Sequence, residues 1–187
     1  MQPTPQERPK VWRSARIHGS RMPDAEPINR RIAQAFRGLR QEDFTRRSHF
    51  FGGRYENLYL DRGRIPELAS VLGHIEACAR RILDADARPL RVGFWFNAQG
   101  PGQSTTEHTH EEDDELLSGV YYVLAPKHAG DLVLLDGVLT IRVAPEAGTC
   151  LFFPPSLAHR VEVNRSEHQR LSIAFNVGPG SSGGAVD

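Results

Sequence analysis

The spacing of hydrophobic positions in the first half of the chain is helical. Apolar residues from Ile28 to Leu39 recur every three or four positions, and Asp24 lies just upstream as a possible cap. A second stretch begins near Pro66 and keeps apolar residues on one face as far as Leu83. Proline suits a first helical turn, because the first N–H has no intrahelical partner. The pattern predicts two amphipathic α-helices, with a short aromatic strand between them in residues 50–61.

After Pro89 the pattern changes to that of β-strands. Short runs rich in β-branched and aromatic residues alternate with Pro-Gly, Asp-Gly and Ala-Gly turns. The runs are LRVGFWFNA, SGVYYVLA, DLVLL, LTIRVA, TCLFFP, HRVEVN and RLSIAFNV. Seven or eight strands in about 90 residues indicate a sandwich or barrel, and eight strands make a jelly roll. The predicted fold class is therefore mainly β, a jelly roll with two supporting N-terminal helices.

The 187 residues fit one domain that can bury its own core. Residues 1–25 are rich in proline and arginine without apolar periodicity, and predict a flexible arm. Residues 26–178 form the single predicted domain, and residues 179–187 form a glycine-rich flexible tail. The sequence carries no signal for an oligomeric state.

Overall charge is balanced, with 23 basic and 23 acidic residues, so it indicates neither a nucleic-acid nor a membrane partner. No apolar run has the length of a signal peptide core or a membrane span. Cys78 and Cys150 are far apart and form no paired motif. These features predict a cytoplasmic protein.

The stretch HTHEEDDE carries the most specific chemistry. His108 and His110 are two residues apart, so in a strand both side chains lie on one face, and Glu112 continues that face. A third histidine, His159, follows a run that ends in two prolines. Two histidines and one carboxylate on one side of a metal are the ligands of non-haem Fe(II) oxygenases.

An arginine and a serine follow at the spacing of one strand face. Arg170 and Ser172 stand in RLSIAFN, an otherwise apolar strand in which a lone charge is costly. A guanidinium binds a carboxylate through two parallel charge-assisted hydrogen bonds, and a neighbouring hydroxyl can add a third. When 2-oxoglutarate chelates iron, its distal carboxylate needs a fixed cation of this kind.

The order H-x-(H/E), His, R-x-S on a predicted jelly roll resembles the 2-oxoglutarate/Fe(II)-dependent dioxygenase superfamily. The resemblance spans Tyr55 to Val177 and is strongest to a bacterial and phage group near the prolyl-hydroxylase branch. It implies a double-stranded β-helix, a cupin-like jelly roll, with Fe(II), 2-oxoglutarate and O₂ as cofactor and co-substrates. It also implies hydroxylation of an unactivated C–H bond in an amino acid, a peptide or protein side chain, or a small metabolite. Succinate and CO₂ would be released.

The resemblance also implies roles for single residues. His159 would be the distal iron ligand, and Arg170 would bind the distal carboxylate of 2-oxoglutarate. Ser172 would help Arg170, and Tyr122 of VYYV matches a position whose hydroxyl often contacts the co-substrate. Asn97 and Trp95 are candidate residues of the substrate pocket.

The first metal motif can be read in two ways. Alignment without a gap makes His110 the histidine and Glu112 the carboxylate, which we prefer because a carboxylate neutralises part of the ferrous charge. A shift by two residues makes His108 the histidine and puts His110 in place of the carboxylate. His110 and His159 serve in both versions, and the choice between His108 and Glu112 stays open.

A metal-dependent cupin that does not use 2-oxoglutarate is the main alternative. GQSTTEHTH provides the glycine and H-x-H of a first cupin motif, with Glu115 at a permitted distance. Such a site would use His108, His110, Glu115 and His159. The Arg170-x-Ser172 pair distinguishes the two readings, because a cupin has no need for it. A non-enzymatic binding module with a decayed site is a second alternative.

Overall fold

The computed structural model describes residues 11–14, 16–85, 88–110 and 114–180. It contains two antiparallel β-sheets and two α-helices. The elements follow in the order β1 Val11–Ser14, β2 Ile17–Arg21, α1 Ala25–Arg37, a short 3₁₀ helix Gln41–Asp43, β3 Arg46–Phe51, β4 Arg54–Tyr59, α2 Leu68–Leu83, β5 Leu90–Gln99, β6 Thr105–His108, β7 Leu117–Leu124, β8 Leu132–Asp136, β9 Leu139–Val143, β10 Thr149–Phe153, β11 Ala158–Val161 and β12 Arg170–Pro179.

The larger sheet has the strand order β1-β2-β10-β7-β12-β5-β4-β3, and the smaller has the order β6-β11-β8-β9. One apolar cluster between the two sheets contains residues of both, including Val120 and Tyr122 from β7 and Leu132 and Leu134 from β8. This arrangement confirms the predicted jelly roll.

The helices lie on the outer face of the larger sheet, as the predicted supporting layer. Helix α1 starts at Ala25 and α2 at Leu68, within two residues of the expected positions. The predicted role of Asp24 is wrong. Its backbone is left-handed, with φ of 49°, and its side chain makes no capping hydrogen bond to the described residues. The left-handed conformation costs conformational energy in a non-glycine residue, whereas a residue that caps a helix through its side chain normally has extended backbone angles.

Residues 46–59 form a hairpin where the sequence predicted a single strand in residues 50–61. Gly52 and Gly53 separate β3 from β4 with φ of 57° and 79°. Glycine adopts such angles without the steric cost that a Cβ atom brings, so the pair permits the reversal. The two adjacent glycines indicate a turn, and the prediction of a single strand did not take them into account.

Part of the predicted N-terminal arm belongs to the larger sheet. Strand β2 pairs with β10, and β1 pairs with β2, so residues 11–14 and 17–21 are strands. The alternation of Ile17 and Gly19 with polar neighbours gave only a weak strand signal. Residues 1–10 of the arm and residues 181–187 of the tail lie outside the described residues.

The two faces of the larger sheet carry different residues. In β12, Leu171 and Phe175 pack in the apolar cluster beneath the helices, whereas Arg170 and Ser172 face the space between the sheets. The cluster beneath the helices also holds the two cysteines, Cys78 and Cys150, both fully buried. This alternation follows directly from the two-residue period of a strand.

Among the described helices, none is long and apolar enough to cross a membrane.

Candidate active site

Three histidines meet at one edge of the smaller sheet. His108 in β6 lies directly opposite His159 in β11, and His110 follows just beyond the end of β6. One ring nitrogen from each of the three lies within 4.8 Å of the other two. The ring centroids are 4.4 Å apart for His108 and His159 and 5.2 Å apart for His110 and His159. These are distances at which three imidazoles can share one metal ion.

Two of the rings are oriented by backbone carbonyls. The Nδ1 atom of His108 is 2.9 Å from the oxygen of Thr106, and that of His159 is 2.9 Å from the oxygen of Leu157. A carbonyl only accepts, so each Nδ1 carries the proton and each Nε2 keeps a lone pair for a metal. Histidine ligands in metal sites are commonly held this way. The local chain is also fixed, because the backbone N–H of His110 donates to Pro155 at 2.9 Å.

The imidazoles of His110 and His159 are held neutral. Burial, together with a smaller contribution from the nearby His108, lowers the pKa of His159 to about 3. Burial also lowers the pKa of His110 to about 4, again with a contribution from His108. Neutral imidazole is the form that binds metal, so no proton has to leave at neutral pH.

The structure therefore brings together His110 and His159 with the alternative ligand His108. Glu112 lies in residues 111–113, outside the described part of the chain. Glu115, which the cupin alternative requires, lines a neighbouring outer cleft and is not in the three-histidine group.

A buried cation lines the same cavity. Arg170 is 1% exposed, and its Nη1 donates to Oε1 of Gln99 at 3.0 Å. The guanidinium carbon is 5.2 Å from the centre of the Tyr122 ring. Within the described residues, Nε of Arg170, the hydroxyl of Tyr122 and Nε2 of Gln99 have no hydrogen-bond partner. Ser172 lies on the same strand face as Arg170 and lines the same cleft.

Burial governs the protonation of this region. It lowers the pKa of Arg170 and raises the pKa of Tyr122 to about 12, and Tyr122 and Arg170 partly offset each other's shift. Guanidinium remains charged nevertheless, because its ordinary pKa is far above neutrality. A buried charge with unused donors is costly unless a ligand pairs with it. The region therefore fits an anion with several acceptor atoms.

The three histidines line one inner cleft together with Gln99, Arg170 and Ser172. Trp95 and Asn97, the predicted substrate-pocket residues, both line it. The Nδ2 of Asn97 donates to the backbone oxygen of Glu56 at 2.7 Å and to Oδ1 of Asn57 at 3.0 Å. These bonds tie β5 to the hairpin. The inner cleft thus contains three histidines that can bind a metal ion, a buried arginine that can bind an anion, and a wall that hydrogen bonds hold in place.

An outer cleft adjoins the inner one at His108 and His110. Trp95 lines both clefts, and its ring centroid is 5.7 Å from that of His110. Arg46, His49 and Tyr59 of the hairpin form another wall of the outer cleft. A molecule in the outer cleft would therefore lie next to the candidate metal centre.

The sequence analysis missed two polar residues of this site. Glu56 is 4% exposed, lines both clefts, and its Oε1 has no hydrogen-bond partner among the described residues. Burial raises the pKa of Glu56, although Arg54, with Nη2 3.7 Å from Oε1, opposes the shift. Gln99 could have been found, because it continues the strand face of Trp95 and Asn97 at a spacing of two.

Several solved structures share this architecture. The non-haem α-ketoglutarate-dependent carbocyclase SnoK of nogalamycin biosynthesis superposes with a TM-score of 0.71 at 16% identity, covering 88% of this chain and 79% of that one. A prolyl-4-hydroxylase from Pseudomonas putida gives 0.62 at 19% identity, covering 84% of each chain. HygX from Streptomyces hygroscopicus, solved with nickel and 2-oxoglutarate, gives 0.63 at 12% identity and covers 88% and 83%. At these identities the likeness shows the fold, that of the 2-oxoglutarate oxygenases.

The family described as "Putative 2OG-Fe(II) oxygenase" matches residues 137–176. This segment includes His159, Arg170 and Ser172. Among curated protein sequences, none matches the chain. The family match on this fold confirms the resemblance to the 2-oxoglutarate/Fe(II)-dependent dioxygenase superfamily. The match covers 40 of the 187 residues, and together with the shared fold it supports a 2-oxoglutarate-dependent dioxygenase that uses Fe(II) and 2-oxoglutarate.

Proposed function

We propose that His108, His110 and His159 bind Fe(II), and that Arg170, Tyr122 and Ser172 bind the distal carboxylate of 2-oxoglutarate. One observation carries this assignment. Three histidines, with one ring nitrogen of each within 4.8 Å of the others, line the same cleft as a buried guanidinium whose Nε has no hydrogen-bond partner among the described residues. The bound iron supplies O₂ activation, with 2-oxoglutarate as the electron donor that leaves as succinate and CO₂.

The donor set fits ferrous iron bound together with a chelating acid. Three protein nitrogens leave the rest of the coordination shell for 2-oxoglutarate and O₂. The protein fixes the other end of 2-oxoglutarate at Arg170, so the co-substrate is held at two points and cannot rotate. Binding at two points lowers the entropy that later steps must lose.

The substrate is proposed to lie in the outer cleft. This position brings it alongside Trp95 and His110, next to the metal centre. The reaction is proposed to hydroxylate an unactivated C–H bond of an amino acid, a peptide side chain or a small metabolite. Incubation with metabolite and peptide libraries tests this: succinate should increase together with a product heavier by one oxygen atom. Succinate formation with a product of another mass change would contradict hydroxylation.

The anion site is tested by anaerobic titration. Addition of Fe(II) and 2-oxoglutarate to metal-free protein should give the visible charge-transfer band of the chelate. Arg170→Met should weaken 2-oxoglutarate binding by at least about 30-fold, since loss of a buried charge contact costs roughly 2 kcal/mol or more. Fe(II) affinity without 2-oxoglutarate should stay unchanged. Unchanged 2-oxoglutarate affinity in this variant would refute the role of Arg170.

The ligand set is tested by three variants of the metal centre. His159→Ala should reduce Fe(II) affinity by more than about 100-fold, because even the loss of a residue that only supports a ligand costs roughly 10- to 100-fold. His108→Ala should do the same if three histidines bind the metal, whereas Glu112→Ala should have little effect. The opposite result for His108 and Glu112 would restore the ligand set with a carboxylate.

A further inference from the structure

Gln99 lies directly opposite Arg170. It is the last residue of β5 and pairs in register with Arg170, the first residue of β12. Both side chains are 1% exposed, and both line the inner cleft. Two polar side chains that are almost fully buried opposite each other are an arrangement that packing alone does not explain.

The hydrogen bond between them fixes the orientation of the amide. Nη1 of Arg170 donates to Gln99 at 3.0 Å, and a guanidinium has no acceptor. The Gln99 oxygen must therefore face Arg170, and the NH₂ group must point away from it. That NH₂ group has no partner among the described residues, and neither does Nε of Arg170. Two sets of N–H donors are thus unused in the same cleft.

The backbone of Gln99 is also held in place. The side chain of Asn164 donates to the backbone oxygen of Gln99 at 2.9 Å. Asn164 is in turn held by backbone bonds with Gly102 and Gln103, both 2.8 Å long. The end of β5 is therefore fixed before any ligand arrives, and preorganised donors lose little freedom on binding.

We infer that Gln99 is a binding residue for 2-oxoglutarate with two roles. Its oxygen positions the Arg170 guanidinium, and its NH₂ group donates a hydrogen bond to the distal carboxylate. This inference rests on the proposed function. The choice of an amide matters, because a carboxylate at this position would pair with Arg170, neutralise it and repel the incoming anion.

The test compares two probes that differ only in the distal carboxylate, 2-oxoglutarate and 2-oxopentanoate. Their dissociation constants from the anaerobic Fe(II)-loaded protein give a selectivity ratio. The wild type should prefer 2-oxoglutarate by at least about 100-fold, since several charge-assisted bonds are made only to the carboxylate. Gln99→Met should lower the ratio by about tenfold, the value of one hydrogen bond to a charged group. Gln99→Glu should bring the ratio close to unity.

Two controls separate the possible causes. Gln103→Glu adds the same charge in the adjacent loop and keeps the acceptor for the Gly100 N–H, 2.7 Å away, so it should leave the ratio unchanged. Gln99→Glu should fold, because it gains an ion pair with Arg170, and its unfolding midpoint checks this. A merely structural role for Gln99 would weaken both probes equally, and an unchanged ratio in Gln99→Met and Gln99→Glu overturns the inference. An unchanged ratio in Arg170→Met would instead refute the proposed carboxylate site.

Discussion

The two faces of strand β12 differ in how completely their side chains are satisfied. On the face toward the helices, Leu171, Ile173 and Phe175 are almost fully buried among other apolar side chains. On the opposite face, Arg170 and Ser172 are just as buried but line a cleft. The guanidinium of Arg170 keeps an unpaired Nε among the described residues. Consecutive residues of one strand therefore have opposite effects on the free energy of unfolding: the apolar ones raise it and the incompletely paired polar ones lower it.

This difference shows that one face of β12 stabilises the fold and the other face carries the candidate site. The helix-facing side chains remove apolar surface from water and stabilise the fold. The cleft-facing side chains are buried without full partners, which costs stability unless a ligand binds. Substitutions on the two faces should therefore change the free energy of unfolding in opposite directions.

The largest effect is expected on the helix-facing side. Leu171→Ala should lower the free energy of unfolding by about 2–5 kcal/mol, because it removes buried methyl groups and leaves a cavity. The selectivity between 2-oxoglutarate and 2-oxopentanoate should not change, since Leu171 points away from the cleft. Urea denaturation and the anaerobic titration measure the two quantities. A changed selectivity with little loss of stability would contradict the separation of the faces.

Acid should destabilise the metal-free protein through the cleft-facing histidines. The folded-state pKa of His159 is about 3, against 6.5 when unperturbed, because of its burial. Between these values the unfolded chain takes up the proton and the folded chain does not, so stability falls as pH falls. From pH 6.5 to about pH 5 the loss from His159 alone should be about 2 kcal/mol.

Denaturation curves of two variants check this pH dependence. His159→Gln should flatten the slope of stability against pH, whereas substitution of the exposed His168 by glutamine should leave it unchanged. An equal slope in the His159→Gln variant would show that other groups cause the acid sensitivity.

Removal of the polar pair in the cleft should stabilise the protein. The double variant Arg170→Met and Gln99→Met replaces a buried charge and its partner with apolar side chains of similar length. Such replacements are often neutral or stabilising by about 1 kcal/mol or more. Thermal and urea unfolding of the metal-free protein measure the change, with Arg170→Met alone for comparison. A clear loss of stability in the double variant would mean that the pair supports the fold.

The smallest effect is expected at Ser172. Ser172→Ala should change the free energy of unfolding by less than about 1 kcal/mol, because it exchanges one small buried group for another. It should weaken 2-oxoglutarate binding only a few-fold, as expected for loss of one hydroxyl among several donors. The anaerobic titration measures this. A loss as large as that of Arg170→Met would make Ser172 a principal ligand.

Much of this arrangement could be predicted from the sequence. The two-residue period placed His108 with His110, and Arg170 with Ser172, on common faces, and the helical period located α1 and α2. The proximity of His159 came from the resemblance, because residues 49 positions apart carry no local signal of contact.

Other features depend on contacts that sequence patterns do not encode. Glu56 faces the cleft only because the hairpin β3–β4 joins the edge of the larger sheet beside β5. The strands β1 and β2 are stabilised by pairing with β10 rather than by a strong pattern of their own. Pairing with strands that are distant in the sequence determined the structure of these segments, because their local sequence signal was weak.

The placement of Cys78 and Cys150 has a consequence for an enzyme that consumes O₂. Both thiols lie in the cluster beneath the helices, on the far face of the larger sheet from the candidate iron ligands. Burial raises the pKa of both thiols, so they stay protonated, whereas the thiolate is the form that reacts with peroxide. The sheet thus acts as a barrier between oxidant and oxidisable sulfur. Uncoupled turnover should damage side chains lining the clefts, such as Trp95, before it reaches either cysteine.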